Sequence, residues 1–179
     1  KYLSNAPKNF IGDIHQKFLK TNNFPKGDLV TRRWRQIFSG NTHKIDSLRR
    51  FIKEHQPREM ILIGDNGEAD TEIYAQIRKE FPQITGPTYI RVAYSMITRQ
   101  EKGKPLLPGQ TGFASSIDIA LDLMNKGYMK MEAVEKIVKA TVPDMLMEGY
   151  REERGHPIAF PDWYDCRDFT LPELPTLVD

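Results

Sequence analysis

The chain has 179 residues, of which 39% are apolar and 28% charged, ordinary figures for a globular protein with a core of its own. A net charge of +2 is too small to argue for nucleic acid or a strongly acidic partner. The one cysteine, Cys166, excludes an intrachain disulfide and suits a reducing, cytoplasmic setting, and no apolar run approaches the ~20 residues of a membrane span.

Tyr2-Leu3-Ser4 reads as the end of a strand, broken by Asn5-Ala6-Pro7. Phe10, Ile14, Phe18 and Leu19 then recur at helical spacing, which predicts an amphipathic helix over 8–21. Pro25-Lys26-Gly27 is a turn, and Asp28 to Thr31 is a short strand. The cluster Arg32, Arg33, Trp34, Arg35 is either a solvated loop with its indole on the core or a rim that attracts phosphate. A second helix carries Ile45, Leu48, Phe51 and Ile52, with Asn41 or Thr42 as its cap. Lys44 falls in its first turn, where the helix dipole disfavours a cation. It is either an exposed lysine or one placed to hold an anion.

Met60-Ile61-Leu62-Ile63 reads as a strand buried on both faces and ended by Gly64-Asp65. Asn66-Gly67 continues the turn, and a helix follows over 71–81, capped by Asp70 or Thr71, with Ile73, Ile77 and Phe81 on one stripe. Thr88 to Val92 is another strand. Alternation of strand and helix argues for an α/β fold with a parallel sheet covered on both faces. This places Asp65 and Asp70 at the carboxyl end of a central strand, where open α/β sheets bind ligands. Two carboxylates there suit Mg²⁺, unless Asp65 is only a turn former and Asp70 only a cap.

Gly103 to Gly112 is a polar loop. It separates an α/β part over 1–100 from C-terminal helices and a proline-rich tail over 101–179, packed on the same domain. Ser115 or Ser116 caps a helix stopped by Asn125-Lys126-Gly127. Another helix over 131–149 is interrupted near Pro143. The tail from His156 reads as an extended strap packing Phe160, Trp163, Tyr164 and Phe169.

A hydroxyl at Ser4, a lysine at Lys44 and the Asp65/Asp70 pair at successive strand ends are the groups phosphoryl transfer needs. This order resembles motifs two to four of the haloacid dehalogenase superfamily, a Rossmann-like fold. It resembles most its actin-patch-associated phosphatidate phosphatases. YLSNAP at 2–7 is similar to that branch's Ser-Asn-Ser-Pro segment, and FPKGDLVTRRW at 24–34 to its Phe-Pro-x-Gly stretch. HKIDSLRRFI at 43–52 resembles its lysine helix, and LIGDNGEADTEIYAQI at 62–77 its Gly-Asp motif. YIRV at 89–92 fits as well, and GFASSIDIALDLMNKG at 112–127 fits more loosely.

The resemblance implies Mg²⁺-dependent hydrolysis of a phosphomonoester, most of all a phosphatidate-like lipid, through an aspartyl phosphate. Ser4 and Asn5 would bind the phosphoryl group, and Lys44 would neutralise its charge. Asp65 would be a metal ligand, with Asp70 assisting the metal or orienting Lys44. The partner would be a phosphorylated lipid or small molecule, with membrane contact only through a lipid substrate. The superfamily's first motif, Asp-x-Asp-x-Thr, is missing, since no two aspartates stand two positions apart. Its nucleophile and central strand are therefore expected upstream of Lys1, between the strands ending at Ser4 and Asp65, and these residues alone are expected to be inactive. The alternatives are a phosphatase of soluble phosphomonoesters and an inactive domain binding a phosphorylated ligand or protein. His15, His43, His55 and His156 lack the spacing of a zinc hydrolase, and Ser4 and Ser39 lack that of a triad hydrolase.

Overall fold

The computed structural model describes residues 1–21, 24–32, 42–94 and 102–146. The chain divides into two compact units, Lys1–Arg58 and Glu59–Asp179. Both are α/β, and among the described residues every strand pairing is parallel.

In the first unit, β1 (Tyr2–Pro7), α1 (Lys8–Thr21), β2 (Leu29–Arg32) and α2 (Thr42–His55) follow in order. β1 and β2 pair with Leu3 opposite Val30 and Ser4 opposite Thr31, α1 lying in the crossover that a parallel pair requires. Asn5-Ala6-Pro7 does not break the strand as the sequence suggests. A register shift between Ser4 and Pro7 lets the chain absorb a proline that cannot donate to the ladder. α2 packs on β1 and buries Ile45, Leu48 and Ile52, as its periodicity predicts. On α1, Ile14 and Phe18 are exposed, so the predicted helix forms without covering that stripe.

The second unit holds β3 (Met60–Asp65), α3 (Asp70–Glu80), β4 (Thr85–Arg91), β5 (Thr111–Phe113), α4 (Ser116–Asn125) and α5 (Met131–Leu146). Its sheet runs β3-β4-β5. Burial along β3 alternates: Met60 and Leu62 are buried, whereas Ile61 is 40% and Ile63 54% exposed. The expectation of burial on both faces is therefore corrected. Among the described residues β3 pairs with β4 alone, and the face carrying Ile61 and Ile63 is exposed. β5 escapes sequence reading because three residues, Thr111-Gly112-Phe113, carry no periodicity.

Ile77, Tyr89 and Ile90 are fully buried at the centre of this unit. α4 and α5 meet through Ala120, Leu121 and Val134. α4 begins at Ser115, where the Asp118 carboxylate accepts from the Ala114 and Ser115 N–H groups at 2.9 Å. It ends in a Schellman motif: Tyr128 N–H donates to Leu123 O and Gly127 N–H to Met124 O, with Gly127 at φ +79°. α5 runs through Pro143 to Leu146, where the described residues end, so the expected interruption does not stop the helix, although the proline cannot donate to the helical ladder. Among the described residues no helix is long and apolar enough to cross a membrane. The tail from His156 and Arg33-Trp34-Arg35 lie outside the described residues.

Candidate functional site

The β3–α3 turn is built around a close approach of backbone to carboxylate. A Cβ on Gly64 would stand 2.3 Å from Asp70 Oδ2 and 2.8 Å from Asp70 Cβ, nearer than real Cβ atoms come. Only glycine lets the Asp70 carboxylate lie along the end of β3. There its Oδ2 accepts the Asp65 N–H at 3.4 Å. Asp70 is 3% exposed and is the first residue of α3. The N-cap is Ala69, without a side-chain bond, so the expected capping by Asp70 or Thr71 is corrected. The Asp70 side chain turns back to the strand instead of closing the helix end.

Asp65, the last residue of β3, is half-buried and stands opposite Arg91 in the register. Its Oδ1 accepts from Gly67 N–H at 2.8 Å, an Asx turn that orients the carboxylate. The Tyr74 hydroxyl donates to Ile63 O at 3.0 Å. Burial pushes the Tyr74 phenol well above its ordinary range, and the charges of Asp70 and then Asp65 push it further the same way. Both carboxylates thus act on one buried, neutral phenol.

Asn66 knits this turn to the loops beyond β4. It is 0% exposed. Its Oδ1 accepts from Ala93 N–H at 2.9 Å and Tyr94 N–H at 3.1 Å, and its Nδ2 donates to Tyr94 O at 2.7 Å. Its backbone O accepts from Lys104 N–H at 2.7 Å. A Cβ on Gly103 would come within 2.2 Å of Asn66 Nδ2. The 102–113 segment is held at the same place by an ion pair of Lys104 with Glu72 and by Gln110 Nε2 donating to Thr71 O at 2.7 Å. Partial burial of Glu72 works to raise its pKa, but the Lys104 and Thr71 contacts outweigh it and hold the carboxyl below its ordinary range.

Of the residues singled out in the sequence, the second unit brings Asp65 and Asp70 together. Ser4, half-buried on β1, and Lys44, 8% exposed in the first turn of α2, lie in the first unit, where α2 packs on β1. Lys44 is buried, which excludes the reading of it as an exposed lysine. Asn5 belongs to β1, and its side chain lies outside the described residues. A cavity of about 770 Å³ lies at the amino end of β1, lined in part by Tyr2, Phe24, Lys26 and Asp28, away from Ser4. Tyr74, Tyr94 and the structural part of Asn66 escape sequence reading. The partners of Asn66 lie 27 and 28 residues away, and no spacing announces them.

Among the described residues no group of three or more His, Cys, Asp or Glu side chains gathers to cage a metal. Two carboxylates are nevertheless the donor set that suits Mg²⁺, which keeps several waters and takes its remaining oxygens from a phosphate.

A family model described as phosphatidate phosphatase APP1, catalytic domain, matches residues 1–92, a span containing Ser4, Lys44, Asp65 and Asp70. The phosphatidate phosphatase APP1 of Saccharomyces cerevisiae is 29% identical over 96 residues. The match covers 50% of this chain but only 16% of that protein. No solved structure matches the chain.

Proposed function

The chain belongs to the family of the phosphatidate phosphatase APP1 catalytic domain, and from that premise we propose that it hydrolyses a phosphomonoester, a phosphatidate-like lipid before others. The observation that carries the reading is the Asp65/Asp70 pair at the carboxyl end of parallel strand β3, with Gly64 reserved for the Asp70 carboxylate. We assign Mg²⁺ to these two residues. When bound, it would neutralise phosphate charge.

The rest of the chemistry belongs to the protein. An aspartate carboxylate attacks phosphorus, the bond from phosphorus to the alcohol oxygen breaks, and that oxygen takes a proton. Water then cleaves the acyl phosphate, releasing inorganic phosphate and restoring the carboxylate. Ser4 and Asn5 are assigned to phosphoryl oxygens and Lys44 to their charge, as the superfamily resemblance implies. No Asp-x-Asp pair occurs in the 179 residues, so the attacking aspartate is assigned to a segment outside them.

The test is phosphate release by the complete protein from phosphatidate in phosphatidylcholine vesicles and from p-nitrophenyl phosphate, with Mg²⁺ or with EDTA. Mg²⁺-dependent turnover favouring the vesicle substrate supports the reading. Turnover favouring the soluble ester makes the protein a phosphatase of soluble substrates. Release from neither overturns the phosphatase reading.

A further inference from the structure

Tyr94 lies just past the residues that the family model matches. The residue is 41% exposed, yet its backbone is fixed more firmly than a loop tip needs. Both its N–H and its C=O are bonded to the one fully buried side-chain amide of Asn66. Two glycines hold the residue at close range. A Cβ on Gly103 would sit 3.0 Å from Tyr94 Cβ, and a Cβ on Gly67 would sit 2.4 Å from Tyr94 Cε2. The same point at Gly67 is 3.1 Å from Asp65 Oδ1, so the ring and the carboxylate flank one glycine.

This arrangement gives little stability through burial, since much of Tyr94 remains in solvent. What it achieves is position: a flat, apolar surface fixed beside Asp65, with little side-chain entropy left to lose on contact. A ring face cannot hold an anion, but it can pack on the carbon skeleton next to one.

We propose that Tyr94 is a specificity-determining residue that packs against the aliphatic group carried by the phosphate, so that a lipid phosphomonoester is preferred over a small soluble one. The inference rests on the phosphatase reading above and adds a substrate contact to it. Asn66, Gly67 and Gly103 are the residues that position the ring.

The experiment compares kcat/KM of the complete protein and of Tyr94→Phe, Tyr94→Leu and Tyr94→Ala on phosphatidate vesicles and on p-nitrophenyl phosphate, with melting curves for each. Tyr94→Ala is expected to lose about tenfold in the ratio of lipid to soluble substrate. Tyr94→Phe should keep the ratio, and Tyr94→Leu should fall between the two. An unchanged ratio in folded Tyr94→Ala, or in Tyr94→Leu if the alanine variant does not fold, overturns the assignment of Tyr94 and leaves the phosphatase reading standing. Absence of turnover on both substrates by the unsubstituted protein overturns both.

Discussion

Gly64→Ala tests the architecture of the β3–α3 turn at one methyl group. The added Cβ would come 2.3 Å from Asp70 Oδ2 and 2.8 Å from Asp70 Cγ, and a carboxylate that is 3% exposed has little room to withdraw. Either Asp70 rotates away and the Asp65 N–H loses its acceptor, or the end of β3 shifts against β4. Losing the hydrogen bond costs about 1 kcal/mol and overpacking about 1–3 kcal/mol, so the loss is roughly 1–3 kcal/mol, set by whichever response is cheaper. The loss reads as a shift of the urea midpoint at constant m-value. Mg²⁺-dependent turnover should fall further than stability does, because both carboxylates move. A variant within about 0.5 kcal/mol of the parent, with its Mg²⁺ requirement unchanged, would refute the close packing of Asp70 on Gly64.

Asn66→Ala leaves the Ala93 N–H, the Tyr94 N–H and the Tyr94 C=O without their partner, so urea unfolding should show a loss of about 2–4 kcal/mol. Gly127→Ala meets no atom within 4 Å and bears only the strain of φ +79°. It should cost about 1 kcal/mol in the same assay and leave turnover untouched. Lys44→Ala removes a buried cation from the first turn of α2, where the helix dipole opposes it. Turnover should fall by about two to three orders of magnitude while the melting temperature holds, and a large drop in melting temperature with normal turnover would make Lys44 structural.

What the sequence discloses of this molecule follows from the range of the interactions involved. The helix through Ile45, Leu48 and Ile52 and the one ended by Gly127 are local patterns, and both form as read. Asp65 and Asp70 are legible because they stand only five positions apart, around one turn that directly follows Gly64. The open face of β3 is not legible. Met60 to Ile63 is uniformly apolar, and which of its faces is covered depends on pairing and packing with distant segments. Asn66 looks like a turn former and is one, but it also holds a loop 28 residues away. Tyr94 has no motif. Its place beside Asp65 exists only once Gly67 and Gly103 bring the loops into contact.

The most direct test of the Mg²⁺ assignment is the phosphatase activity of Asp65→Asn in the complete protein, titrated with Mg²⁺ and accompanied by a melting curve. Asparagine retains an oxygen acceptor for the Gly67 N–H but removes the charge. The expected result is a folded protein with the parent's melting temperature and no Mg²⁺-dependent phosphate release. Near-parental turnover at ordinary Mg²⁺ concentrations would contradict it and remove Asp65 from the metal site.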